Sequence, residues 1–257
     1  MTSLHSILTD ALADPRFPLA LAIAALAGLV RGFSGFGSAL IYIPLVATIY
    51  DPRVAAVTLL LIDSIGGAPF GLRALPQCNW REVLPIFLAA AVAVPFGTMA
   101  LLVVDPTVLR WFIAVLVFSL LALLVYGWRY HGRPGLPVTI GVGLFSGFGG
   151  GAVQIAGPAV IMYWLAGDDP AAKARANLLV YFMLNNVVMC LSYFWQGVFT
   201  ANVVVLGLVL SVPFLAAMAA GAYFFKGASE ALYRRIAYVI VALAGLVSLP
   251  ILDGFFR

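Results

Sequence analysis

The stretch Arg31-Gly32-Phe33-Ser34-Gly35-Phe36-Gly37-Ser38-Ala39 decides how this chain is read, because it occurs twice. It returns as Leu144-Phe145-Ser146-Gly147-Phe148-Gly149-Gly150-Gly151-Ala152. Both copies share Phe-Ser-Gly-Phe-Gly followed by a small residue, and each lies inside a long apolar run. Glycine-rich backbone breaks a helix there and leaves peptide groups that hydrocarbon cannot satisfy. Such backbone is tolerated where protein covers it or where it lines a polar cavity. Breaks are therefore expected at 32–37 and 146–151, meeting to form a substrate site.

Working outward, the composition fixes the class. Of 257 residues, 64% are hydrophobic and 9% charged, with a mean hydropathy of +1.09. Soluble domains carry about 25% charged residues. The apolar runs do not alternate as barrel strands would. The chain reads as an all-α polytopic membrane protein lying in the lipid bilayer, and no polar stretch is long enough for an extramembrane domain. A net charge of +4 reads as loop charges that orient a membrane protein, not as a nucleic-acid surface. Cys78 and Cys190 are too few and too far apart for a disulfide framework or a metal site, and no cofactor motif is present. Residues 1–16 contain Asp10 and Asp14 and do not read as a cleaved signal.

In chain order the apolar segments are 17–50 (broken), 54–72 with Asp63, 83–104 with Pro85 and Pro95, and 107–128. Trp128-Arg129-Tyr130 reads as an interfacial anchor. The pattern then restarts: 137–166 (broken), 174–195 with Asn177, Asn185 and Asn186, 201–225 with Pro213, and 231–252. Asp51-Pro52 and Asp169-Pro170 occupy matching turns, and Asp105-Pro106-Thr107 has helix-starting chemistry. Two homologous four-segment repeats, 1–130 and 131–257, follow from this order.

Loop charges test whether the broken segments cross. If all eight segments cross, Arg16, Arg73, Arg81, Arg129, Arg133 and Arg257 face seven other basic residues, and no orientation is specified. If the broken segments are re-entrant, nine basic residues gather on one side. The other keeps only Arg16, Arg53, Arg110 and Arg257. That bias meets the positive-inside rule and places both termini outside. Each repeat then has an odd number of crossings, so the repeats are inverted.

Arg31 stands out chemically. A mid-membrane Arg costs about 2.5–3.5 kcal/mol, so it contacts an anion, snorkels, or pairs with an acid such as Asp63. Helix starts near Gly37-Ser38 and Gly150-Gly151 would add free N–H groups and the positive end of a helix dipole. Ser34, Ser38 and Ser146 add hydroxyls. Phe33, Gly35, Gly37, Gly147, Gly149, Gly150 and Gly151 complete the candidate substrate-binding set, although such glycines also serve close helix packing. Gln154, Asn185 and Asn186 join the set as donors to substrate or as bonds between helices. Asp63 is a candidate for proton coupling, or for a static salt bridge. Pro44, Pro95, Pro158 and Pro213 shape helices.

The doubled glycine motifs, Gly32 to Gly37 with Pro44 and Gly143 to Gly151 with Pro158, resemble those of the sulfite exporter TauE/SafE family over nearly the whole chain. Where the family pattern often has more glycine after the first break, Ser38-Ala39 stands here. The resemblance implies a small multi-pass transporter of the cell (inner) membrane moving sulfite, a sulfonate or a related organic acid. The residues alone reach a small-anion transporter, and the sulfur comes from the resemblance; the first hypothesis is a secondary transporter working by alternating access. A passive anion channel with a paired re-entrant filter is the alternative. An enzyme is disfavoured, because no His-Glu-x-x-His motif or mid-membrane Asp pair is present.

Overall fold

The computed structural model describes residues 4–34, 37–126, 134–165, 171–224 and 230–252. Among them the fold is all-helical, without strands. The helices are α1 (Leu4–Ala13), α2 (Phe17–Ser34), α3 (Ser38–Ile49), α4 (Pro52–Ala74), α5 (Trp80–Val103) and α6 (Pro106–Tyr126). They continue as α7 (Leu136–Val153), α8 (Gly157–Leu165), α9 (Ala171–Trp195), α10 (Ala201–Phe224) and α11 (Glu230–Val247). The Trp128–Tyr130 anchor and the 167–170 turn lie outside the described residues.

Local chemistry explains the helix starts. Asp51 Oδ1 accepts the Arg53 N–H at 2.7 Å, and Asp105 Oδ1 accepts the Thr107 N–H at 2.8 Å, with Pro52 and Pro106 opening α4 and α6. The Thr107 N–H bond holds the Asp105 carboxyl below its ordinary range.

Among the described residues six helices are long and apolar enough to cross a membrane: α4, α5, α6, α7, α9 and α10. The described part of α11 contributes only a shorter apolar stretch, 238–247. α3, at 12 residues, extends about 18 Å, and α8, at 9 residues, about 14 Å. Neither reaches across a core of about 30 Å.

The first break falls where the sequence puts it, between α2 and α3. The second does not. α7 runs unbroken through Ser146 to Gly151, and the interruption comes at 154–156. The reason is packing. A Cβ built on Gly143, Gly147 or Gly151 would lie 2.5, 2.2 or 2.3 Å from the carbonyl oxygens of Ile86, Ala90 or Val94 on α5. Gly97 of α5 returns the contact against Phe148. These glycines bring two backbones together instead of ending the helix. The helix ends at Gln154, in the left-handed conformation (φ 59°, ψ 17°), with its N–H on Gly150 O at 2.9 Å.

The chain forms two compact units, Met1–Ile62 with Val104–Val125 and Phe199–Arg257, and Asp63–Val103 with Tyr126–Val198. Each draws on both halves of the chain. In the first, α2 packs on the proline-bearing α10, with Gly28 and Gly32 against the Phe214 and Met218 carbonyls and Gly221 against that of Leu29. In the second, α7 packs on the proline-bearing α5. Each broken segment thus packs on a proline-bearing helix from the other half of the chain.

Contacts within the units also fix helix directions. Bonds pair Asn79 with Asn177 and Thr98 with Ser192, so α5 and α9 run parallel. Ser64 meets Cys190, and Gly71 meets Met183, so α4 and α9 run antiparallel. Arg110 reaches Ser248, and Val117 meets Gly245, so α6 and α11 run antiparallel. The ends of the broken segments also meet. Arg16, before α2, lies 3.4 Å from Ile49 O and 4.6 Å from the Tyr50 ring centre, after α3. Thr139, early in α7, bonds Tyr163, late in α8, at 2.9 Å.

Candidate functional site

At the first break, Gly37 sits at φ 91°, ψ −5°, and turns the chain into α3. No side chain caps that start. Arg31, in the last turn of α2, reaches over the break and donates from Nη1 to Ser38 Oγ at 3.1 Å. Ser38 is buried and Arg31 half-buried. A guanidinium, a hydroxyl and the positive end of a helix therefore gather at one interruption, an arrangement suited to an oxyanion. The side chains of Phe33 and Ser34, and all of Gly35, lie outside the described residues. Asp63 is half-buried on α4, in the second unit, whereas Arg31 belongs to the first.

The second break is built by α7, α8 and one face of α9. Ser146, fully buried, donates to the Ala156 carbonyl and is bonded to Tyr181 Oη at 2.7 Å. Its one proton goes to the carbonyl, so Tyr181 donates to Ser146. Ser146 thus ties the chain beyond the break to α9. Tyr193 donates to Gly151 O at 2.9 Å from the same face. Gly149 and Gly150 leave the space the turn needs: a Cβ on Gly149 would be 2.8 Å from Ile155 O. A Cβ on Gly150 would be 3.2 Å from Met189 Sδ and 3.3 Å from Asn185 Nδ2.

Gln154 and Asn185 are the polar groups at this turn. Gln154 donates from Nε2 to Met189 Sδ at 3.4 Å and lies beside the Tyr193 hydroxyl. Asn185, fully buried, has Nδ2 4.0 Å from the same sulfur, while its Oδ1 has no hydrogen-bond partner. Asn186, the next residue, is half-buried. Asn177 serves a different purpose. It accepts the Asn79 N–H at 2.7 Å and donates to Glu82 at 2.9 Å, and Glu82 also takes Lys173 at 2.8 Å. That network ties the start of α9 to the start of α5, so Asn177 bonds one helix to another.

The profile of the sulfite exporter TauE/SafE family matches residues 20–248, spanning both breaks and both units. This chain belongs to the TauE/SafE family. Among curated proteins and solved structures there is no significant match. Members of this family are membrane transporters rather than enzymes. Membership and six apolar helices make the chain a multi-pass membrane protein of the sulfite-exporter type. A small anion is accordingly the substrate class.

Within this TauE/SafE chain, sequence reading passed over Tyr181, Met189 and Tyr193, which form the wall facing the second break. A signal for them existed. Asn177, Tyr181, Asn185, Met189 and Tyr193 recur every four residues, a single stripe on α9. The unbroken apolar character of the segment hid it.

Proposed function

We propose that this chain is a secondary transporter of small sulfur-containing anions (sulfite, a sulfonate or a related organic acid) in the cell (inner) membrane. Two inverted repeats, 1–130 and 131–257, alternate access to an anion held between the two helix breaks. Arg31, Ser38 and the start of α3 supply the positive side, and Gln154, Asn185 and the Gly149–Gly151 turn supply the other. Asp63 couples transport to protons. The observation that carries this reading is the Arg31 guanidinium laid against Ser38 at an uncapped helix start. A cation within a membrane segment is costly, and its position there is accounted for if it meets an anionic cargo.

Helix directions support the inverted plan. α5 and α9 run parallel, with α6 and the α7–α8 pair between them. If α6 crosses, α7–α8 returns to the face it left. The antiparallel pairs α4–α9 and α6–α11 require the same count. The Arg16–Tyr50 contact supports the same return for α2–α3.

Purified protein in liposomes should show saturable sulfite counterflow. An unsaturated ohmic current would instead mean a channel. Arg31→Ala should lower sulfite affinity at least about tenfold, the worth of one charge-assisted contact, at an unchanged unfolding temperature. Wild-type affinity in that folded variant would remove Arg31 from the site.

A further inference from the structure

The second break carries information about the ionisation state of the cargo. Buried amides are normally satisfied on both ends, and an orphaned buried acceptor costs about 1–3 kcal/mol. Asn185 is fully buried, yet its Oδ1 has no partner and its Nδ2 faces only a thioether, 4.0 Å away. Reversing the amide would not help, since it would set the oxygen against that sulfur and orphan the nitrogen instead. Gln154 Nε2 points at the same sulfur. Two amide donors thus converge on Met189 Sδ, a weak acceptor at the end of a flexible side chain. Beside them stands an acceptor that only a donor can satisfy.

An oxyanion that displaces the Met189 sulfur would take both N–H groups on its oxygens. Its charge would leave Oδ1 unsatisfied unless the anion also carries a proton. The polar groups at this break, Gln154, Asn185, Ser146, Tyr181 and Tyr193, are neutral, so the single positive charge the proposed site holds, on Arg31, offsets one negative charge of the cargo and not a second. We infer that the Gln154–Asn185 pair at the second break selects a singly charged, protonated oxyanion, such as hydrogen sulfite, with Met189 Sδ holding its place until it binds. This rests on the transporter reading above and names the form of cargo that the same site accepts. A site that hydrogen-bonds a ligand hydroxyl rejects the analogue lacking it far more strongly than an apolar pocket could.

Other groups near this point could impose a pH dependence of their own. α7 has no titratable side chain, α8 has Tyr163, and α5 has Arg81 and Glu82 in its first turn. α9 itself carries Lys173, Arg175, Tyr181, Cys190 and Tyr193. α4 brings Asp63 next to Ser64, which meets Cys190, and Arg73 beyond it. Asp63 is the acid among these in mid-helix, so the test must separate it from the cargo.

The experiment is calorimetric titration of the purified full-length protein with sulfite and with sulfate, one pH unit below and one above the second ionisation of sulfite. Affinity counted on total sulfite should fall about tenfold across the window, following the protonated fraction. Sulfate, deprotonated throughout, should bind at least about tenfold more weakly than sulfite at the lower pH. Asn185→Leu, close in volume, should bind sulfite with no slope. Affinity that is flat or rises with pH in the wild type overturns the inference and leaves the transporter reading standing. A wild-type slope in Asn185→Leu also overturns it, because the pH dependence then arises from a titratable group other than the cargo held by Asn185. If sulfite and sulfate both fail to bind, the transporter reading falls with it.

Discussion

Single residues at the two breaks act through backbone and hydrogen bonds more than through bulk. Gly37 shows the backbone case. Its φ of 91° is in the left-handed region, yet a Cβ there would meet nothing within 4 Å. Gly37→Ala therefore isolates conformational cost, and should lower the stability of the first unit by about 1–2 kcal/mol. Thermal unfolding in detergent measures it, and Gly37→Asn should recover part of the loss because Asn tolerates that region. Ser146 shows the hydrogen-bond case. Ser146→Ala leaves the Ala156 carbonyl and the Tyr181 hydroxyl without the partner they share, an expected loss of about 1–3 kcal/mol. Tyr181→Phe removes only a donor and should cost less in the same assay. Ser146 was legible as a polar residue in an apolar run. Its partners were not, since Tyr181 is 35 residues away and joins it only through the packing of α9 on α7.

Among the elements, α7 shows why glycine spacing needs two readings. Gly143, Gly147 and Gly151 are four apart, so they share a helix face. Three glycines in a row of turns signal either a broken helix or a groove for a neighbour. What decided between them was α5, whose Ile86, Ala90 and Val94 carbonyls lie in register. No local signal in 136–153 could carry that. The true end of α7, at Gln154, was equally hidden, because a glutamine with positive φ has no sequence signature. Gly157-Pro158, opening α8, was the visible clue that the second arm starts later. The contrast can be measured on one helix. Gly147→Ala puts a methyl carbon 2.2 Å from the Ala90 carbonyl oxygen, backbone that cannot swing aside, so α5 and α7 must part. A loss of at least about 2 kcal/mol, or failure to fold, is expected. Gly141→Ala on the same helix meets nothing within 4 Å and should be neutral, or stabilise by up to about 1 kcal/mol. Equal behaviour of the two variants would mean that α7 does not use its glycines for packing.

For the whole molecule, the sequence and the structure speak to different parts of one question. Loop charges gave a bias of nine against four for re-entrant segments, but several of those residues, Arg129, Arg133 and Lys226 among them, lie outside the described residues. The helix directions within the units are independent of charge, and the proposed return of α7–α8 to one face draws on them. The exchange of broken segments between proline helices was not legible, because equal repeats in sequence say nothing about which copy each segment packs on. Re-entrant α7–α8 makes a definite prediction about sidedness. In a Cys78→Ser, Cys190→Ser background, Leu136→Cys before the turn and Ala172→Cys after it are both at exposed positions. Thr107→Cys, exposed at the start of α6, marks the other end of that crossing. If α7–α8 returns to the face it left, an impermeant thiol reagent applied to cells should miss Leu136→Cys and Ala172→Cys alike and label Thr107→Cys. Opening the membrane should then expose the first two. If α7–α8 crosses instead, Leu136→Cys and Ala172→Cys must label from opposite sides, and the inverted plan fails with them. Labelling of both from outside, with Thr107→Cys protected, would keep the hairpin and reverse the orientation drawn from the charges.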